Sequence, residues 1–173
     1  MTHTKLTTQD KAYIAGFLDG DGSINAQIIR RANYNLHFQI RVTITFFQKT
    51  SRYWVLLQLK KQLRYGTLRQ RPDGMSEYCI VGKESVKHCM QLLKPYLRVK
   101  QRHAVCILQI IQQLQKTQDP QAFVKLCEIV DKFQALNDSK KRTVTSTTVR
   151  SHFLALNLLS VPVETISSAT KNC

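Results

Sequence analysis

The sequence predicts an α/β domain of the α+β kind: an antiparallel sheet with helices over one face and polar side chains on the other, plus C-terminal helices. Three observations carry this. From Phe38 to Phe46 the residues Phe38, Ile40, Val42, Ile44 and Phe46 alternate with Gln39, Arg41, Thr43 and Thr45, the period of a half-buried strand. Along the chain the patterns run α-β-β-α-β-β-α before further helices. At 173 residues the chain holds one domain with a real core and falls short of two.

Each element has its own signal. Thr7-Thr8-Gln9-Asp10 opens a helix, and Tyr13, Ile14, Phe17 and Leu18 give it an apolar face. Ala15, Gly16 and Gly20 form a second strip of small residues. Glycine costs a helix about 1 kcal/mol relative to alanine, so Gly16 and Gly20, four apart, point to close approach of a partner helix. The chain holds no second copy of this strip, so the partner is another molecule. Ser23 to Arg31 is a weaker strand, with Asn25, Gln27 and Arg31 opposite Ile24, Ala26 and Ile28, and with Ile29 interrupting the polar side. Asn33-Tyr34-Asn35 marks the hairpin loop before the alternating strand.

A helix over about Thr50–Leu63 should bury Trp54, Leu56, Leu57, Leu59 and Leu63, and Gly66 stops it. Strands at Thr67–Arg71 and Ser76–Val81 flank the turn Pro72-Asp73-Gly74. Helical patterns then cover Lys83–Leu93, Gln101–Gln115 and Gln121–Leu136. The last opens on Asp119-Pro120 and carries the core stripe Phe123, Leu126, Cys127, Val130, Phe133. A basic loop, Asn137 to Arg142, leads to a short helix at Ser146–Leu156. The single domain is thus expected over residues 1–156, with a loosely held tail at 157–173.

Composition narrows the function. A net charge of +15, from 26 Lys and Arg against 11 Asp and Glu, implies a polyanionic partner. No apolar run approaches a membrane span, and the polar N-terminus has no secretory pattern. Five cysteines, Cys79, Cys89, Cys106, Cys127 and Cys173, form no C-x-x-C pair and read as reduced core thiols of an intracellular compartment. Five scattered histidines make no zinc pattern.

The polar sheet face says what the polyanion is. It presents Asn25, Gln27, Arg31, Gln39, Arg41, Thr43, Thr45, Arg69, Arg71 and Glu77. Arginine pairs with guanine, Asn or Gln with adenine, and a carboxylate with cytosine, whereas an ordinary wet sheet face favours Lys, Glu and Ser. Two basic clusters, Lys94, Arg98, Lys100, Arg102 and Lys140, Lys141, Arg142, suit phosphates.

The most informative string is Ala15-Gly16-Phe17-Leu18-Asp19-Gly20-Asp21-Gly22-Ser23. Its acids fall at a helix C-terminus, where unpaired carbonyls already carry negative charge. Asp21 with nearby carbonyl oxygens is a hard donor set of the kind that holds Mg²⁺. A bare D-G-D-G is equally an ordinary helix stop with a solvated acid. The whole string, however, resembles the signature of the LAGLIDADG homing endonucleases. Gln48-Lys49-Thr50 with Arg52, Pro95-Tyr96-Leu97-Arg98-Val99-Lys100-Gln101, and Ala135-Leu136-Asn137-Asp138-Ser139-Lys140 look like the single-motif enzymes encoded in algal chloroplast group I introns. The resemblance covers about residues 11 to 155.

It implies a chloroplast, Mg²⁺-dependent endonuclease for intron homing. Such an enzyme acts as a homodimer on a long, pseudo-palindromic site in double-stranded DNA, without membrane or small-molecule cofactor. By resemblance, Ala15, Gly16 and Gly20 lie at the dimer interface, and Asp21 and the Gly20 carbonyl bind metal. Asp19 is structural at the helix interface, Gln48 orders the water shell, and Arg52 and Lys100 stabilise charge at the scissile phosphate. DNA-facing positions extend to Ile29, Asn33 and Tyr34; Ile29, Asn33, Arg41 and Cys79 are particular to this chain, so no target sequence carries over. One Asp per chain is too little for a metal pair, whereas two chains supply two, with phosphate oxygens completing the shells. A non-catalytic nucleic-acid binder, an RNA maturase or a DNA-binding regulator, is the alternative on the same scaffold.

Overall fold

A computed structural model of the protein describes residues 6–114, 119–137 and 143–159. Helix α1 (Thr8–Asp21) begins at a capping box: the Asp10 N–H donates to Thr7 Oγ1 (3.1 Å), and the Thr7 N–H donates to Asp10 Oδ2 (2.9 Å). It ends where the Gly22 N–H donates to the Leu18 carbonyl, and the chain passes directly into β1 (Gly22–Arg30).

Two of the expectations for α1 need correction. Ala15 is wholly buried in this chain's own core beside Ile14 and Leu18, so it offers nothing to a partner helix. Tyr13, expected to be inside, is 62% exposed. Tyr13 lies at i−3 to Gly16 and i−7 to Gly20, on the strip that faces away from the core.

β1 pairs with β2 (Phe38–Lys49) in a hairpin whose register sets Asn25 against Thr43, Gln27 against Arg41 and Ile29 against Gln39. β1 ends at Arg30, one residue short of expectation, because the Arg31 N–H turns to the His37 carbonyl (2.8 Å) to close the loop. β3 (Thr67–Gln70) and β4 (Met75–Val81) complete an antiparallel sheet of order β1-β2-β4-β3. Between them Gly74 takes a positive φ, as the Pro-Asp-Gly turn requires. Gly66 is more tightly constrained: its φ is positive, and a Cβ there would fall 2.3 Å from the Cys79 carbonyl oxygen.

β2 leads through a 3-10 turn (Thr50–Arg52) into α2 (Tyr53–Leu63), so the expected single helix is broken at its start. Leu56, Leu59 and Leu63 are buried, but Trp54 and Leu57 are 63% and 48% exposed. They sit three residues apart on the opposite side of the helix, a second apolar stripe the core does not use. Helices α3 (Lys83–Leu93), α4 (Gln101–Leu114), α5 (Pro120–Gln134) and α6 (Ser146–Ala155) follow. Asp119 caps α5 by accepting the Ala122 N–H (2.8 Å), with Pro120 in the first turn.

The core lies between the helices and the apolar sheet face of Ile24, Ala26, Ile28, Phe38, Ile40, Val42, Ile44 and Phe46. The α5 stripe of Phe123, Leu126, Cys127, Val130 and Phe133 is buried as expected. Helices α4 and α5 pack on β1, and α2 and α3 on β2 and β4. The opposite sheet face is left open, as an antiparallel sheet permits. No described helix is long and apolar enough to cross a membrane. Residues 138–142 of the basic loop, including Lys140 and Lys141, and the tail from residue 160 lie outside the described residues.

Candidate metal centre and nucleic-acid interface

Asp21 is the last residue of α1, and no basic residue of that helix's own last turn offsets its charge. The cation comes from elsewhere. Lys100 Nζ donates to the Asp19 carbonyl (2.5 Å), one of the orphan carbonyls at the helix end. The last turn of α1 and the end of β2 border an open pocket of about 500 Å³ lined by Gly20, Asp21, Gly22, Phe47, Gln48, Lys49, Arg52 and Met75. Asp21, Gln48 and Arg52, separated by up to 31 positions in the sequence (52 − 21), therefore share one cavity.

Local bonding explains how these side chains are held. The Lys49 N–H donates to Gln48 Oε1 (3.0 Å), which leaves the Nε2 group as the donor end of that amide. Thr50 is tied twice across the β3–β4 turn: its N–H donates to the Gly74 carbonyl (2.8 Å), and its hydroxyl pairs with that of the fully buried Ser76 (2.9 Å). These bonds fix the bend from which Gln48 and Arg52 project. Lys100 does not line the pocket, but its bond to Asp19 holds it two residues from Asp21.

The donors suit a hard divalent cation. The lining offers a carboxylate and helix-end carbonyls, and neither a thiol nor an imidazole. Asp21 is the only acid among those lining residues, so one copy of this pocket supplies a partial coordination shell.

Asp19 holds a segment of its own chain. Its carboxylate accepts the backbone N–H groups of Arg98 (2.7 Å), Val99 (3.2 Å) and Lys100 (2.8 Å) from the same chain. Within one chain Asp19 thus has a structural task, the grip on residues 98–100.

The open sheet face gathers the residues expected on strands. Its rows run Asn25–Thr43, Gln27–Arg41, Ile29–Gln39, Ser23–Thr45–Cys79–Thr67 and Phe47–Glu77–Arg69. Arg69 and Glu77 approach to 3.7 Å, with the Arg69 side chain 72% exposed. At that exposure the pair orients the guanidinium more than it stabilises the fold. Arg71, just beyond β3, bonds Asp73 in the turn (2.7 Å). Arg31, Asn33 and Tyr34 belong to the exposed β1–β2 loop, not to a strand.

Sequence patterns did not single out Lys49, Phe47 or Met75 as pocket residues, because each sits at a strand end where periodicity carries no information. They also missed the exposed apolar set Tyr13, Trp54, Leu57 and Val99, the last 72% exposed.

The four described cysteines divide into two kinds, correcting the expectation that all are core thiols. Cys89 and Cys127 are buried, and burial pushes each thiol up to about 12; Cys79 and Cys106 are half-buried. The thiolate is the reactive form. Iodoacetamide at about pH 8 should therefore modify Cys79 and Cys106 of the native protein and spare Cys89 and Cys127, as read by peptide mass spectrometry. Rapid labelling of Cys89 or Cys127 would contradict the described core.

Comparison with known proteins places this geometry. The family model for the LAGLIDADG endonuclease matches residues 14–112. The chain is 46% identical over 139 residues to the DNA endonuclease I-CvuI of Chlorella vulgaris, covering 80% of this chain and 86% of that one. It is 39% identical over 149 residues to the DNA endonuclease I-CreI of Chlamydomonas reinhardtii, covering 86% and 91%. Among solved structures, the homing endonuclease I-CvuI in complex with its target and calcium superposes with a TM-score of 0.84 and 42% identity, over 88% of this chain and 97% of that one. An archaeal intron-encoded homing endonuclease bound to DNA shares the fold at 16% identity and a TM-score of 0.76, over 87% and 98%.

Proposed function

This chain belongs to the LAGLIDADG endonuclease family, and from that we propose that it is a homing endonuclease hydrolysing phosphodiester bonds at one long, pseudo-palindromic site in double-stranded DNA. The observation that carries the proposal is the pocket at the end of α1, where Asp21, Gln48 and Arg52 line one cavity. The working unit is the single domain over residues 1–156, acting as a homodimer. Relatives from Chlorella and Chlamydomonas support an organellar group I intron as its source and the plastid as its place of action.

Two copies meet along the exposed strip of Tyr13, Gly16 and Gly20. The exposed Trp54, Leu57 and Val99 give the chain further apolar surface for a partner. The contact brings two Asp21 carboxylates to one centre, and DNA phosphate oxygens complete what each lacks. Asp21 and the Gly20 carbonyl would hold Mg²⁺, which when bound polarises the scissile phosphate and acidifies the attacking water. The chain's own residues do the rest. Gln48 donates from Nε2 to water in the pocket, while Arg52 and Lys100 set positive charge against the phosphate, and Lys49 adds more at the pocket wall.

Base readout falls to the open sheet face, with Lys140 and Lys141 proposed as phosphate contacts. Arg41→Ala or Arg69→Ala should relax preference at one base position in each half-site, by about 1–3 kcal/mol. A uniform loss across all sequences would make the residue a phosphate contact. Bound target DNA should also shield Cys79 from alkylation and leave Cys106 reactive, since only Cys79 lies on that face.

The test of the whole reading is a cleavage selection from a randomised duplex library, with Mg²⁺ and then with chelator. A small set of related two-fold sequences should be cut, and chelator should stop cutting. Selective binding without cleavage would leave a nucleic-acid binder on this fold.

A further inference from the structure

We propose that Asp19 is a positioning residue for Lys100, a role that rests on the nuclease reading above and deepens it. Three consecutive backbone N–H groups converge on its carboxylate: Arg98 and Val99 on Oδ2 at 2.7 and 3.2 Å, Lys100 on Oδ1 at 2.8 Å. Hydrogen bonds to an ionised acceptor are the strong class, and a pair of oxygens taking three of them fixes the segment in place and orientation.

That segment is a junction between two helix ends. It follows the 3-10 turn Lys94–Tyr96, is anchored by the buried Leu97, and leads into α4, whose Ala104 N–H donates to the Lys100 carbonyl (3.0 Å). Asp19 therefore places negative charge at the start of α4 while belonging to the end of α1, where a carboxylate is disfavoured. The offset runs in both directions, because Lys100 returns its ammonium to the Asp19 carbonyl. Side chain and main chain of one residue thus hold main chain and side chain of another 81 positions away.

The consequence is geometric. Asp21 is built into α1, whereas Lys100 arrives on a loop and owes its place to this reciprocal grip. A purely structural acid would set the stability of the junction; a positioning acid also sets how well Lys100 meets phosphate. A misplacement of about 1 Å can cost on the order of 100-fold in rate, so the two roles separate in kinetics.

The experiment is a double-mutant cycle of Asp19→Asn, Lys100→Met and the pair, read in two ways. With Mg²⁺ and saturating target, Asp19→Asn should slow single-turnover cleavage roughly 10- to 100-fold, and adding it to Lys100→Met should cause little further loss. With Ca²⁺ in place of Mg²⁺, the salt dependence of DNA binding should fall by about one phosphate contact in Lys100→Met. It should fall part of that way in Asp19→Asn and no further in the pair. Asp19→Glu keeps the charge but lengthens the arm, so it should be slowed in the same direction with folding intact, and it decides the matter if Asp19→Asn does not fold. Parental cleavage in both Asp19 variants, or losses that multiply in the pair, would overturn the role. A parent that binds but never cleaves would instead sink the nuclease reading, with the salt dependence still judging the link between Asp19 and Lys100.

Discussion

Asp21→Asn should leave a protein that folds, binds its target and no longer cuts it. Asparagine matches the shape of the side chain and removes only its charge. Cation affinity at the pocket rests on that charge, because Asp21 is the only acid among the described residues that line it. Stabilisation by a metal at phosphate amounts to several kcal/mol, so cleavage should fall at least ~10³-fold. Stability should move the other way. An acid at a helix C-terminus works against the helix dipole, and neutralising it gains about 0.3–1 kcal/mol. A slightly higher melting temperature with cleavage abolished is the expected signature. Binding, measured by gel shift in calcium, should stay near the parental value because the sheet face is untouched. Undiminished cleavage by Asp21→Asn would remove this residue from the chemistry.

Gly16→Leu should yield a folded monomer without activity. A Cβ built on Gly16 meets no heavy atom within 4 Å, so the protomer has room for the side chain, and replacing a helical glycine gains about 1 kcal/mol of helix propensity. Two helices in contact along a glycine strip have no such room. Sedimentation should show the monomer mass, thermal unfolding should be no weaker than that of the separated parent chain, and cleavage should be lost because the paired carboxylates never meet. Gly20 is equally open, and Gly20→Leu should act the same way, but Gly16 avoids disturbing a carbonyl assigned to the metal. A Gly16→Leu protein that sediments as a dimer would show that the strip is not the contact.

The parts of the molecule legible in the sequence were those with a strong local period or cap. β2 alternates without a break, α5 opens on Asp119-Pro120, and the turn around Gly74 is written in its residues. The polar sheet face followed from the same alternation, because period two fixes which residues share a side. Helices with two apolar sides defeated the reading. In α2 both Leu56–Leu59–Leu63 and Trp54–Leu57 fit a helical stripe, and only packing decides which turns inward. In α1 the small side chain of Ala15 gave no clue that it belonged with Ile14 and Leu18 and not with Gly16. At the candidate site, Asp21 was visible as an acid in a costly place. Gln48, Arg52 and Lys100 rested on resemblance alone, since contacts across tens of residues leave no local pattern. The grip of Asp19 on residues 98–100 is of that kind too.

As the contact of the proposed homodimer, the strip of Gly16 and Gly20 would have a consequence for how such a protein changes over generations. A chain that pairs with its own duplicate inherits every alteration twice. On the proposed reading face, a new side chain at Arg41 or Gln39, for example, would rewrite both ends of the recognised sequence together, in two-fold related positions. Drift in the host gene, by contrast, strikes one end at a time. Such a lineage can follow its target only through partners tolerant of mismatch, or by joining two copies into one polypeptide whose halves are free to diverge.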